Sequence, residues 1–155
     1  MAEIEKDYED LLRSLNIHKV KYCVIGAYAM ALYVAPRYTK DMDIFVEATP
    51  SNAEKVITAL RDFGFHHPSL TAKDFSKPGR TIQIGYEPVR VDILTSIDGC
   101  VFEEVWKNRI RGSYGKEKVY FIGRADLLRN KTASNRKQDQ ADLEALKRSK
   151  RKRTK

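Results

Sequence analysis

The sequence predicts an α/β (α+β) fold, a mixed β-sheet flanked by helices, on three observations. Short apolar or alternating runs are interleaved with stretches of helical periodicity. Pro36, Gly64 and Gly115 fall where one pattern gives way to the next. No repeat, long linker or low-complexity stretch occurs before residue 147. Residues 1–146 are therefore expected to form a single domain, and 147–155 a basic, flexible tail.

The elements follow in order. Ile4, Tyr8, Leu11, Leu12 and Leu15 recur at helical spacing and predict an amphipathic helix over 4–16. "KYCVI" reads as a short buried strand ending at Gly26. "AYAMALYV" reads as a helix that Pro36 ends, because the residue before proline avoids the helical region. "DMDIFVE" is a strand. The helix in "TPSNAEKVITALRDFG" has a cap in Thr49 or Ser51, a capping box in Ser51 with Glu54, and a stop at Gly64. "TIQIGY" and "VRVDIL" are strands joined around Glu87-Pro88, and "VFEEVWKN" is a short helix. "RIRGSY" and "KVYFIG" make a hairpin across Gly115. The stretch from Arg124 to Arg148 reads as two helices with a break near Ser134-Asn135.

Bulk properties narrow the function classes. At 155 residues the chain can bury about 70% of its unfolded surface, so it needs no disulfide or structural metal. Its 42% hydrophobic and 32% charged residues match a soluble globular protein. No run of about 18 apolar residues exists, which argues against a membrane span. The charged N-terminus argues against secretion, so a cytoplasmic location is expected. Cys23 and Cys100 are far apart, outside any metal-thiolate spacing, and Cys23 reads as core. Of the net charge of +8, seven positive charges belong to the segment "KRSKRKRTK", which leaves +1 for the body. Lys147, Arg148, Lys150, Arg151, Lys152 and Arg153 are thus either a solvated end or an arm for RNA or an acidic partner.

Chemistry concentrates in "VIGAYAMALYVAPRYTKDMDIFV". Along a strand, Asp41, Asp43 and Phe45 share one face, and Met42, Ile44 and Val46 pack the other on the core. Asp41 and Asp43 are then about 6.6 Å apart along the chain. Two carboxylates in an apolar strand stay ionised only beside positive charge, and carboxylate oxygens suit a hard divalent cation. A lone Asp-x-Asp is otherwise a solvated strand edge or turn. Asp92 in "VRVDIL" is a third acid set in an apolar strand, completing a carboxylate set of the kind that holds two ions. Gly26-Ala27 lies between a strand and a helix, where free amides and the helix dipole face an anion.

These residues together resemble the signature of the DNA polymerase beta nucleotidyltransferase superfamily, which has a hydrophobic strand, a Gly-Gly or Gly-Ser turn, a helix, then Asp-x-Asp. The resemblance is closest to the minimal, single-domain nucleotidyltransferases of toxin–antitoxin and abortive-infection systems. Arg37-Tyr38-Thr39 resembles the Arg-x-Thr that precedes the acids there, and Lys131 with Arg136 and Asp139 resembles their C-terminal helices. The resemblance implies a nucleotidyltransferase-like fold and transfer of a nucleoside monophosphate from an NTP, such as ATP, to a hydroxyl by two Mg2+ or Mn2+ ions. It implies Asp41, Asp43 and Asp92 as metal-binding and catalytic, with Asp92 a candidate to take the hydroxyl's proton. It implies Gly26, Ala27, Arg37, Thr39 and Lys131 as nucleotide-binding. One departure is Ala27, where the family has Gly or Ser, followed by the bulky Tyr28.

The alternative is a catalytically weak or inactive binding module, an antitoxin-like subunit or an RNA-binding partner. With one short domain, the acceptor must use an open groove, a dimer interface or a partner protein. His66-His67 and His18 read as surface residues, and Trp106 with Phe102 reads as a core-facing helix stripe rather than a base-stacking platform.

Overall fold

The computed structural model describes residues 4–34, 41–86 and 89–153. Among the described residues, six strands form one mixed sheet, with helices packed against it. Helix α1 (Lys6–Ile17) buries Tyr8, Leu11, Leu12 and Leu15, the stripe that its spacing predicts. Strand β1 (Tyr22–Ile25) is buried throughout and ends at Gly26, whose φ of +69° turns the chain into α2 (Gly26–Met30). Regular helix lasts five residues there, against the eight expected, and residues 31–34 continue as turns. Pro36 lies outside the described residues.

Strand β2 (Asp41–Val46) leads to α3 (Pro50–Phe63). The cap of α3 is Thr49, whose side chain accepts from the Asn52 N–H at 3.2 Å. Ser51 lies exposed inside the first turn, so the Ser51–Glu54 capping box is not formed. The first helical position tolerates the donor that Pro50 lacks, and the cap falls at Thr49, two residues before Ser51. Gly64 stops α3 in the left-handed conformation, φ +107°. An unexpected 3-10 turn, Ala72–Phe75, buries Phe75 against the core.

Strands β3 (Thr81–Tyr86) and β4 (Val89–Leu94) pair antiparallel, Tyr86 opposite Val89, and β4 runs parallel to β2. After α4 (Phe102–Lys107), β5 (Ile110–Tyr114) and β6 (Glu117–Phe121) form the expected hairpin, with Gly115 at φ +59°. Strand order is β3-β4-β2-β1-β6-β5, with β1 antiparallel to β2 and parallel to β6. The Phe45 ring meets Phe102 of α4 edge-on at 5.1 Å, so α4 covers the face that Asp41 and Asp43 also take. Met42, Ile44, Val91 and Ile93 are buried on the other face.

Helix α5 (Arg124–Ser134) ends where Asn135 adopts φ +50°, the break expected near Ser134-Asn135. Helix α6 (Lys137–Arg153) packs on α5 and runs without a break into the basic segment. Leu146 is buried, and Ser149 is buried with its hydroxyl donating to the Tyr33 carbonyl. Among the described residues, no helix is long and apolar enough to cross a membrane.

Candidate active site

The strand register builds the site. Ile25 pairs with Asp43, which puts Gly26 directly over that carboxylate. A Cβ on Gly26 would lie 2.5 Å from Asp43 Oδ2, so only glycine lets the turn and the acid approach this closely. Across β2 and β4, Asp41 pairs with Arg90 and Asp43 with Asp92. Neighbouring strands lie about 4.8 Å apart, so three acids and one arginine form a two-by-two block on one face. The sequence-predicted Gly26, Asp41, Asp43 and Asp92 therefore meet, although the chain separates them by up to 66 residues (26 to 92).

Burial first, then the carboxylates of Asp92 and Asp41, push Asp43 up to about 6, against the pull of Lys131 and Arg136. Arg90 supplies positive charge to the other two acids. Its Nη2 is 3.3 Å from Asp41 Oδ2 and 3.3 Å from Asp92 Oδ2. Arg90 is the residue that sequence reasoning missed. Its position two before Asp92 puts it on the acids' face by strand alternation, which was the available signal.

Among the described residues, no three carboxylate, histidine or cysteine groups are arranged to hold a metal ion. The ion pairs explain this, because a guanidinium stands between Asp41 and Asp92. The donor chemistry still suits a hard cation. Asp92 Oδ1 is buried without a hydrogen-bond partner among the described residues, and Asp43 has its proton affinity raised by burial and then by its like-charged neighbours. Asp41, Asp43 and Asp92 thus fit a divalent cation in type, with Arg90 as the competitor for the same charge.

The block opens into a cleft of about 730 Å³. Gly26 and Ala27 line it, together with Asn130, Lys131 and Ser134 of α5 and with Arg136. Lys131 is itself buried, with Nζ 2.9 Å from Asp142 Oδ2 and 3.3 Å from Asp139 Oδ1. Burial alone would raise the Asp139 carboxyl. Hydrogen bonds from Arg136 and Ser134, and the charge of Lys131, hold it well below the usual carboxylate range. Helix α2 is too short to carry much of a macrodipole, so Gly26 and Ala27 can offer backbone amides but little dipole. Arg37 and Thr39 lie outside the described residues. Lys147 and Arg148 are exposed on α6, while Lys150, Arg151, Lys152 and Arg153 form its last turn, away from the acid block in sequence.

Of the remaining singled-out residues, His66 is exposed, and His18, His67 and Trp106 have local partners. His18 pairs with Asp62, and His67 Nδ1 is 2.7 Å from the Ser69 hydroxyl. Trp106 is half-buried, stacked on Phe102 at 5.9 Å, with the Arg109 guanidinium 3.7 Å from its ring centre.

Residues 4–155 match the family model described as "Nucleotidyl transferase of unknown function (DUF2204)". No curated protein matches the chain. Among solved structures, the lincosamide antibiotic adenylyltransferase LnuA, lincomycin-bound, is similar at 20% identity and a TM-score of 0.56, covering 92% of this chain and 96% of LnuA. TM1012 of Thermotoga maritima, a nucleotidyltransferase by assignment, is similar at 16% identity and a TM-score of 0.55, covering 97% of both chains. The fold is thus that of nucleotidyltransferases.

Proposed function

We propose that this chain, which belongs to the nucleotidyl transferase family whose model it matches, moves a nucleoside monophosphate from a nucleoside triphosphate to an acceptor hydroxyl. The observation that carries the reading is the register of Asp43 against Asp92 beneath Gly26, inside the cleft. Asp41, Asp43 and Asp92 would hold Mg2+ or Mn2+. When bound, such ions neutralise triphosphate charge and make a hydroxyl a better nucleophile. The Gly26-Ala27 turn offers its amides to the β- and γ-phosphates, where the missing side chain allows close approach. Arg90 and Arg136 line the same cleft and suit phosphate oxygens. Asp92 Oδ1 takes the acceptor's proton. The acceptor oxygen then bonds to the α-phosphorus, the bond from that phosphorus to the bridging oxygen breaks, and pyrophosphate leaves.

Calorimetry with each triphosphate, with and without Mg2+, tests the reading. Metal-dependent triphosphate binding that Asp92→Asn abolishes is expected, and its absence in the wild type overturns the enzyme. Labelled triphosphates offered with total RNA, a protein extract or a lincosamide then sort the acceptor class. A second reading, a non-catalytic binding module, is favoured by the Arg90 bridge and by the hydroxyl-free Ala27. It predicts no label transfer to any of these acceptors.

A further inference from the structure

A second cleft, of about 440 Å³, lies at the other end of β1, four residues and roughly 13 Å along the strand from Ile25. Lys19, Lys21, Arg111 and Lys118 rim it, and Trp106 and Tyr120 form its aromatic wall. Lys19, Arg111 and Lys118 are exposed and make no ion pair among the described residues. Only Lys21 has an acid at hand, Glu47 at a loose 3.8 Å. Glu117, the acid next to Lys118, is already engaged by Arg13 at 3.1 Å and by Asn16. The wall carries guanidinium groups as well. Arg109 lies 3.7 Å over Trp106 and 4.9 Å from the Tyr120 ring centre, and Arg111 lies 5.9 Å from the latter. Lys19 holds φ +57°, a conformation unfavourable to lysine, and its carbonyl-side neighbour Val20 is anchored to Leu15.

We propose that this cleft binds single-stranded nucleic acid. Three exposed cations with no ion pair among the described residues, set about a wall of rings with guanidinium planes laid on them, answer both parts of such a ligand. The lysines and Arg111 take phosphates, and a base packs on Tyr120 and the guanidinium layer. An acidic peptide would use the charges but not the flat wall. The site shares no residue with the acid block, so it stands or falls independently of the transfer chemistry.

Trp106 is the chain's single tryptophan, so its emission reports on this cleft alone. The experiment titrates the full chain with a short uridine oligonucleotide and follows Trp106 emission, with anisotropy of a labelled oligonucleotide in parallel. A saturable emission change is expected, with the same affinity in Asp43→Asn. Arg111→Gln with Lys118→Gln, both exposed, should weaken binding at least about tenfold and lower the log–log salt slope by about 1.4, the share of two phosphates. Unchanged circular dichroism and melting temperature establish that the variant is folded. Binding by anisotropy without an emission change overturns the proposal, as does a double variant with wild-type affinity and slope. An oligoglutamate that matches the oligonucleotide in affinity and emission change overturns it too, leaving a general anion patch.

Discussion

At the residue scale, the acid block is a contest for charge. Asp41 and Asp92 already share Arg90, and Asp43 makes no ion pair among the described residues. Arg90→Gln should therefore tighten Mn2+ binding, measured by paramagnetic resonance without nucleotide, by about tenfold, because the ion no longer displaces a guanidinium. An affinity equal to wild type would show that Arg90 does not compete. Asp43→Asn removes one of three mutually repelling carboxylates, so at neutral pH without metal it should raise the melting temperature, and Mg2+ should stop stabilising the protein. Across the cleft, Asp139 behaves oppositely. Its folded-state pKa is depressed below the unfolded value, so its contribution is complete above about pH 4 and lost as pH falls below that. Acid titration of stability should show this loss in the wild type and a shallower one in Asp139→Asn. Lys131→Met leaves Asp139 and Asp142 buried without their ammonium and should cost about 3–5 kcal/mol by urea unfolding.

At the element scale, the strand and helix order was legible because each pattern is local. Alternation sets the faces of β2 and β4, and the Asn135 break and Gly64 stop are written in single residues. What depended on non-local pairing was not legible. The role of Arg90 needs β4 in register beside β2, and nothing within "VRVDIL" states that register. The shortness of α2 is of the same kind, since the chain leaves the helix to pack Tyr33, whose hydroxyl donates to the Ile122 carbonyl at 2.9 Å. The β1–α2 junction offers a test. Gly26→Ala places a side chain at φ +69° and forces Asp43 aside, so a loss of at least about 1–2 kcal/mol is expected. In an Asp43→Ala background the collision partner is gone, and the same substitution should cost less. Equal costs in a double-mutant cycle by urea unfolding would place the strain elsewhere. At α3, Thr49→Ala should cost about 1 kcal/mol while Ser51→Ala costs almost nothing, separating the observed cap from the one expected at Ser51.

At the scale of the whole molecule, positive charge is distributed in two places with different supports. The cleft cations stand on the segment just before β1 and on β5 and β6, within a body whose net charge is near +1. The others close the chain, where α6 is anchored as far as Ser149 by its bond to Tyr33. Deleting residues 150–155 removes five basic residues beyond that anchor, so the melting temperature and metal–triphosphate binding should stay as in the wild type. If those residues contact RNA, the salt slope of binding should fall by up to about 3.5, since each phosphate neutralised on a single strand contributes about 0.7. Trp106 emission on binding should nonetheless persist, because long-range attraction and the aromatic cleft are separate parts of the surface. The measurement is one salt series, with full-length and shortened chains, followed by anisotropy and by tryptophan emission. Equal slopes would make residues 150–155 a solubilising end and leave attraction to the cleft. A lost emission change in the shortened chain would mean that the helix end delivers the ligand to the cleft, joining the two charge clusters into one path.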